Sequence, residues 1–246
     1  MDFNELFDKI KNGEISREDA REKISLAYIE TAQKSILDVN RDMRTGIPEI
    51  VYGEYKTLDQ VIDITVNLLT RDPIVIISRF KDNNKLHDIL SKEYPTIKGD
   101  HILIAGKLPE PVAPVLVISG GAADHPVTEE VEITLKSIAI EPLVFEDRGI
   151  AHPTRVLEAL KTGITKQVKS IVVIAGMEGA LATFVSSFVS LPVIGVPTSI
   201  GYGVNAKDSA LTSMLSSCTP NLAVVNIDGG VRAAVIAGLI AKNSLT

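Results

Sequence analysis

The chain has one cysteine and no tryptophan, and only 4% of its residues are aromatic. A single cysteine cannot close an internal disulfide, and the absence of any CxxC or Cys/His spacing excludes a thiol-built metal site. That usage suits a reducing compartment, and the expectation is a cytoplasmic protein. Only four histidines occur, all scattered, which argues against a protein-made zinc centre. Basic residues are also in deficit: 25 Lys and Arg against 31 Asp and Glu give a net charge of −6. A broad nucleic-acid face is therefore not expected. A small anion remains open, because backbone N–H groups bind anions without net positive charge. No apolar run reaches the ~20 residues that span a bilayer. The opening MDFNELFDKIKNGE is charged and lacks the apolar core of a signal peptide. No membrane association is expected.

What remains is an ordinary globular composition, 45% hydrophobic and 23% charged, over 246 residues. The first ~40 residues read as helical. Phe3 to Lys11 is amphipathic, and Ser16 caps a second stretch whose apolar stripe extends towards Leu37. From residue 49 strands and helices alternate: strands at 49–52, 74–78 and 102–105, and helices at 57–69 and 84–91. Thr57 and Gln60 have the spacing of a capping box. Three prolines between Lys107 and Pro114 mark a linker. The expected domains are 1–110 and 111–246.

The second half alternates more cleanly. Its expected strands are 115–119, 143–146, 170–175, 192–196 and 222–227, near-continuous Val/Ile/Leu runs of the kind buried on both faces. Helices are expected at 126–139, 154–162, 178–189, 207–217 and 230–242. Parallel strands require such crossovers. Open parallel sheets place ligands outside the C-terminal ends of their strands. All five ends carry Gly, hydroxyl or acidic residues: Ser119-Gly120-Gly121 with Asp124, Asp147 with His152, Gly176 with Glu178, Thr198-Ser199, and Asn226 with Asp228.

The Gly120-Gly121 turn opens a helix and suits a phosphate. A plain strand-to-helix turn also uses glycine. Asp124 either caps that helix or faces a ligand. Glu178 either complements a helix dipole or serves as a general acid or base. His152 and Arg155 are either surface residues before a helix or part of the site. Cys218 follows a helix C-terminus, whose negative pole opposes thiolate formation. Local chemistry favours an inert thiol beside the site unless a ligand supplies positive charge.

The turn SGGAAD at 119–124, the AH at 151–152, AGMEGAL at 175–181 and LPVIGVP at 191–197 resemble the PurE fold of carboxyaminoimidazole ribonucleotide mutases and carboxylases. Three further features resemble LarB, the family of pyridinium-3,5-biscarboxylic acid mononucleotide synthases. These are GIPEIVYGEYKT at 46–57, GMEGA at 176–180, and SIGYG with SSC and VVNIDGG within 199–230. The resemblance implies an α/β fold: a PurE-like parallel sheet flanked by helices, preceded by a helical N-terminus and a small α/β subdomain.

It also implies a reaction. Nicotinic acid adenine dinucleotide is carboxylated on its pyridinium ring with carbon dioxide or bicarbonate. Its phosphoanhydride is then hydrolysed, for nickel-pincer cofactor biosynthesis. Magnesium is expected, a tightly bound organic cofactor is not, and the implied assembly is a homo-oligomer, an octamer. Cys218 would be the nucleophile, with the cationic ring supplying the charge that the helix end withholds. Glu178 or Asp147 would take the ring proton. Ser119, Gly120, Gly121 and Asp124 would hold the ribose phosphate. His152, Arg155, Gly176, Ser199, Asn226 and Asp228 would border the ligand. Arg41, Arg44 and Lys56 would reach the second phosphate or adenylate.

This sequence departs from the family pattern at Ala123, where PurE turns carry serine. It departs again at Thr154, where LarB proteins carry histidine, and at Gly229, where they carry asparagine. The other readings are a mutase acting on an aminoimidazole ribonucleotide and a non-catalytic nucleotide-binding module.

Overall fold

The computed structural model describes residues 3–16, 19, 45–203, 205–206 and 208–244. The chain divides into two compact units, Met1–Arg41 and Asp42–Thr246. In the first, helix α1 spans Phe3–Lys11. Ser16 Oγ accepts the Asp19 amide at 3.0 Å, as a helix cap would. The rest of the expected 16–37 helix, together with Arg41 and Arg44, lies outside the described residues.

The second unit holds two sheets. The first contains β1 (Ile50–Tyr52), β2 (Ile74–Ser78), β3 (Thr96–Lys98) and β4 (Ile102–Gly106), in the order β1-β2-β4-β3. β1 and β2 are parallel, and β4 runs antiparallel to both β2 and β3. Helix α2 (Leu58–Leu69) follows β1 and helix α3 (Asn83–Leu90) follows β2. The capping box forms: Thr57 Oγ1 accepts the Gln60 amide and Gln60 Oε1 accepts the Thr57 amide. β3 was not expected. Its three residues, Thr-Ile-Lys, are too few to show alternation.

The second sheet contains β5 (Ala113–Ser119), β6 (Ile140–Phe145), β7 (Ile171–Ala175), β8 (Val193–Pro197) and β9 (Leu222–Val224). All are parallel, in the order β6-β5-β7-β8-β9. The crossovers are α4 (His125–Ser137), α5 (Pro153–Thr165), α6 (Ala180–Ser187) and α7 (Ser209–Leu215), and α8 (Gly230–Asn243) closes the unit.

Three strand bounds need correction here, and the simplest is that β9 ends at Val224 where 227 was expected. β5 starts at Ala113, inside the expected linker, because Pro114 is tolerated near the first residue of a strand. β6 starts at Ile140, earlier than expected, because Pro142 is acceptable in what proves to be an edge strand.

Strand alternation sorts the core. Val115, Val117, Val172, Ile174, Ile194 and Val196 face α4 and α8. Leu116, Ile118, Ile171, Val173 and Val193 face α5, α6 and α7. Each such side chain contributes about 1.5–3 kcal/mol when fully buried.

Helix α4 is apolar on two sides. Val131 and Leu135 pack on the second sheet, while Ile133 joins Ile74, Ile76, Ile102 and Ile104 of the first. This helix thus packs on both sheets, and Val231 of α8 also joins the first-sheet cluster. Among the described residues no helix is long and apolar enough to cross a membrane.

Candidate functional site

Strands buried on both faces leave only their ends for polar work. β5 ends at Ser119, which is fully buried, and its Oγ finds no hydrogen-bond partner. A hydroxyl left so costs about 1–3 kcal/mol, which makes it a candidate to bond a ligand atom. The next residues turn into a 3-10 segment, Ala122–Asp124. Gly120 N donates to Ile174 O at 2.9 Å, tying the turn to β7. A Cβ on Gly121 would come no nearer than 3.9 Å to any atom, so that glycine leaves open space beside the turn.

Asp124 is 4% exposed and occupies the N-cap of α4, but its side chain makes no cap bond there. Its Oδ2 accepts the Gly121 amide at 2.9 Å and its Oδ1 accepts Thr198 Oγ1 at 2.7 Å. Burial raises its pKa above the ordinary carboxyl value; the bonds from Thr198 and Gly121 oppose the rise and the charge of Asp228 adds to it. Asp124 thus joins the end of β5 to the end of β8. Asp228, beyond β9, closes the group: its Oδ1 accepts the Ser199 amide and its own amide donates to Pro197 O, both at 2.8 Å.

The loop after β6 lies over the β5 turn. Arg148 N donates to Ser119 O at 2.8 Å, and a Cβ on Gly149 would stand 2.9 Å from Gly120 O. Gly176 is required by packing as well: a Cβ there would stand 2.1 Å from Ile200 O and 2.8 Å from Thr198 Oγ1. Three non-glycine residues just past strand ends, Asp147, Met177 and Asp228, have left-handed backbone with φ of 54°, 51° and 54°. Such strain costs of order 1–3 kcal/mol each and gathers at functional sites.

One chain therefore brings together Ser119, Gly120, Gly121, Asp124, Gly176, Ser199 and Asp228. Other expected residues stand around them. Asp147 Oδ2 accepts from Arg155 Nη1 at 3.2 Å. His152 is exposed, with Nδ1 3.0 Å from Ala151 O. Glu178 is exposed in the turn ahead of Gly179, the N-cap of α6. Asn226 is exposed and its Oδ1 accepts the Ile227 amide. Lys56 sits past β1 and donates to Tyr52 O at 2.8 Å.

Cys218 is a different case. It is exposed, and it precedes β9 whereas Asp228 follows it. The neighbouring Ser217 bonds Thr183 of α6, and Asn221 donates to Val189 O and Leu191 O ahead of β8. Among the described residues no hydrogen bond links Cys218 to the strand-end cluster, and in sequence β9 lies between it and Asp228.

Two contributors were not foreseen, Glu130 and Arg79, and a third, Thr198, had no role assigned. Thr198 was visible as a hydroxyl at a strand end, beside the chosen Ser199. Glu130 was hidden in α4 and Arg79 in the other sheet. Arg79, past β2, donates through Nη2 to Asp228 O and to Glu130 Oε2 at 3.3 Å. The parallel pairing of β1 with β2 places Lys56 and Arg79 past the same end of the first sheet.

Magnesium is implied by the resemblance. Among the described residues no group of three or more His, Cys, Asp or Glu could hold a metal. Mg²⁺ carried on phosphates keeps its waters and needs only one or two carboxylates. Asp228 fits that demand better than Asp124, both of whose oxygens are engaged. A metal held there would neutralise phosphate charge.

The chain is similar to known proteins. A family model described as AIR carboxylase matches residues 114–245. One described as LarB/PurE-like N-terminal domain matches residues 29–101. An uncharacterized protein of Methanocaldococcus jannaschii is 40% identical over 250 residues, covering 98% of this chain and 97% of its own. A crystal structure of a PurE2 variant from Treponema denticola is 21% identical, with a TM-score of 0.41, over 55% of this chain and 92% of that one.

Proposed function

Because the chain belongs to the LarB family, with a PurE-like AIR carboxylase domain behind a LarB-type N-terminal domain, we propose that it carboxylates the pyridinium ring of nicotinic acid adenine dinucleotide and then hydrolyses the phosphoanhydride. The products are AMP and pyridinium-3,5-biscarboxylic acid mononucleotide, the precursor of a nickel-pincer cofactor. The observation that carries this reading is the meeting of two sheets at one end. The second sheet offers Ser119, Gly120 and Gly121 to one phosphate, and the first sheet offers Lys56 on the side where Arg79 meets Asp228. A ligand with two phosphates needs both.

The chemistry follows from the ring. A pyridinium is electron-poor and cannot attack carbon dioxide. Addition of the Cys218 thiolate to a ring carbon gives a dihydropyridine, whose enamine carbon then forms the new bond to carbon dioxide. A base removes the proton from that carbon, and the electron pair restores aromaticity as the carbon–sulfur bond breaks and thiolate leaves. This splits one hard step into easier ones. Glu178 is assigned as the base, since Asp147 is engaged with Arg155. Asp147 and Arg155 then border the ring, with His152 and Asn226 at the rim. Water attacks the phosphoanhydride in the second reaction.

Cys218 must meet the ring although in sequence β9 lies between it and Asp228. The implied homo-oligomer, an octamer, resolves this if one subunit's Cys218 serves the strand ends of its neighbour. A cytoplasmic location accords with a free thiol.

The test is incubation with the dinucleotide, bicarbonate and magnesium, followed by mass spectrometry. AMP and a ring-carboxylated mononucleotide are expected. Folded protein that yields neither would refute the reading. Turnover of an aminoimidazole ribonucleotide would replace it with a mutase, and binding without turnover with a nucleotide-binding module.

A further inference from the structure

Arg79 lies outside the AIR carboxylase portion, at the end of β2, yet it touches the strand-end site. Its backbone is left-handed, φ 59°, and its amide donates to His101 O at 2.6 Å. Non-glycine residues adopt that conformation at a cost and only where the surroundings impose it. The side chain is directed onto Glu130, whose carboxylate is 2% exposed and also accepts Ser78 Oγ at 3.1 Å. An ion pair with one buried member is weak evidence for stability, since desolvating the buried charge offsets much of the attraction. Stability alone therefore does not account for the pair.

Asp228 offers another account. Its backbone is also left-handed, and it is pinned from several directions. Its carbonyl accepts Arg79 Nη2 and Gly230 N, its amide donates to Pro197 O, and its carboxylate accepts the Ser199 amide. The start of α8 seats on the same anchor, because a Cβ at Gly230 would stand 2.7 Å from Glu130 Oε2. The only one of these contacts that comes from the first sheet is Arg79.

We infer that Arg79 is a positioning residue for the strand-end site: anchored on the buried Glu130 carboxylate, its guanidinium holds the Asp228 peptide so that the Asp228 carboxylate stays on the Ser199 amide and beside Asp124. The N-terminal domain then acts in the reaction by setting the geometry of a site built on the other sheet. The kinetic part of this inference rests on the carboxylase reading. The geometric part does not.

Four full-length variants test it: Arg79→Met, Arg79→Lys, Glu130→Gln and the double variant Arg79→Met/Glu130→Gln. Arg79→Met alone strands a buried charge and is expected to lose stability for that reason. The double variant removes the stranded charge and should recover stability in urea unfolding. It should still show Ser199 amide hydrogen exchange faster by about tenfold, as expected when one native hydrogen bond is lost. Its kcat should fall by roughly 10- to 100-fold, the scale of a misplaced group, with KM within about twofold. Arg79→Lys, which keeps a donor, should recover part of kcat.

A double variant that regains stability, Ser199 protection and kcat together would reduce Arg79 to a buttress and overturn the inference. If the wild-type protein shows no turnover, the carboxylase reading fails, and Ser199 exchange still decides the role of Arg79.

Discussion

Thr198 Oγ1 donates to Asp124 Oδ1 at 2.7 Å, joining residues 74 positions apart at the ends of two strands. The bond partly offsets the burial that raises the Asp124 pKa. A carboxyl whose folded pKa lies above its unfolded value carries no penalty below the unfolded value. The penalty grows as pH rises through the folded value. Thr198→Val removes a donor to the charged form and raises the folded value further. The variant should lose about 1–3 kcal/mol at pH 7 and less at pH 4. Urea unfolding of both proteins at the two pH values checks this. A loss that grows on acidification would contradict the assignment.

His125 and Glu146 share that linkage sign, since both folded values are raised, but here the cost of the substitution is greatest at low pH. Nδ1 of His125 lies 2.9 Å from Glu146 Oε1, and that bond raises the His125 pKa above 6.5. The resulting stability is fully present below the unfolded value and is lost as pH rises through the folded one. Both side chains are partly exposed, so the worth of the pair is small. Glu146→Gln should cost about 0.2–1 kcal/mol at pH 6 and nothing measurable at pH 9. The His125 midpoint, followed by proton NMR, should fall in the variant.

Two glycines should separate fold from ligand binding. A Cβ at Gly176 would overlap the Ile200 backbone at 2.1 Å, so Gly176→Ala should cost about 1–3 kcal/mol in unfolding experiments. Gly121 has φ −142° and open space around its would-be Cβ. Gly121→Ala should fold with near-normal stability yet bind nicotinic acid mononucleotide more weakly in calorimetry. Unchanged affinity would remove the β5 turn from the phosphate site.

Cys218 is exposed and precedes β9, whereas Asp228 follows it. Cys218→Ala should change stability by no more than about 0.5 kcal/mol, as surface substitutions do, while ring carboxylation falls by orders of magnitude. Mixed with an inactive Asp228→Ala protein and reassembled, it should regain a measurable fraction of activity. Shared sites between subunits require that result. Mixtures that stay inactive would place Cys218 and Asp228 in one subunit's site. In the ligand-free protein, neutral-pH alkylation of Cys218 should be slow, because the pyridinium that favours thiolate is not bound.

Most elements of the second unit were legible in the sequence because their signals are local. Val/Ile/Leu runs mark strands buried on both faces, and glycine, hydroxyl and acidic residues mark their ends. Thr57 and Gln60 announced their capping box, which depends on four consecutive residues. β3 escaped notice through its length, and the early starts of β5 and β6 through Pro114 and Pro142, which edge and terminal positions tolerate.

The amino-acid sequence by itself determined the α/β class, the family and the set of strand-end residues, since each is written in short runs and spacings. Tertiary structure decided which of these residues meet. It drew Asp124, Thr198 and Asp228 into one cluster. It also brought Arg79 from the other sheet, 149 positions away, onto the Asp228 carbonyl. The physical reason is that side-chain encounters between strands depend on sheet order and on which end of each strand a residue occupies. Periodicity reports neither.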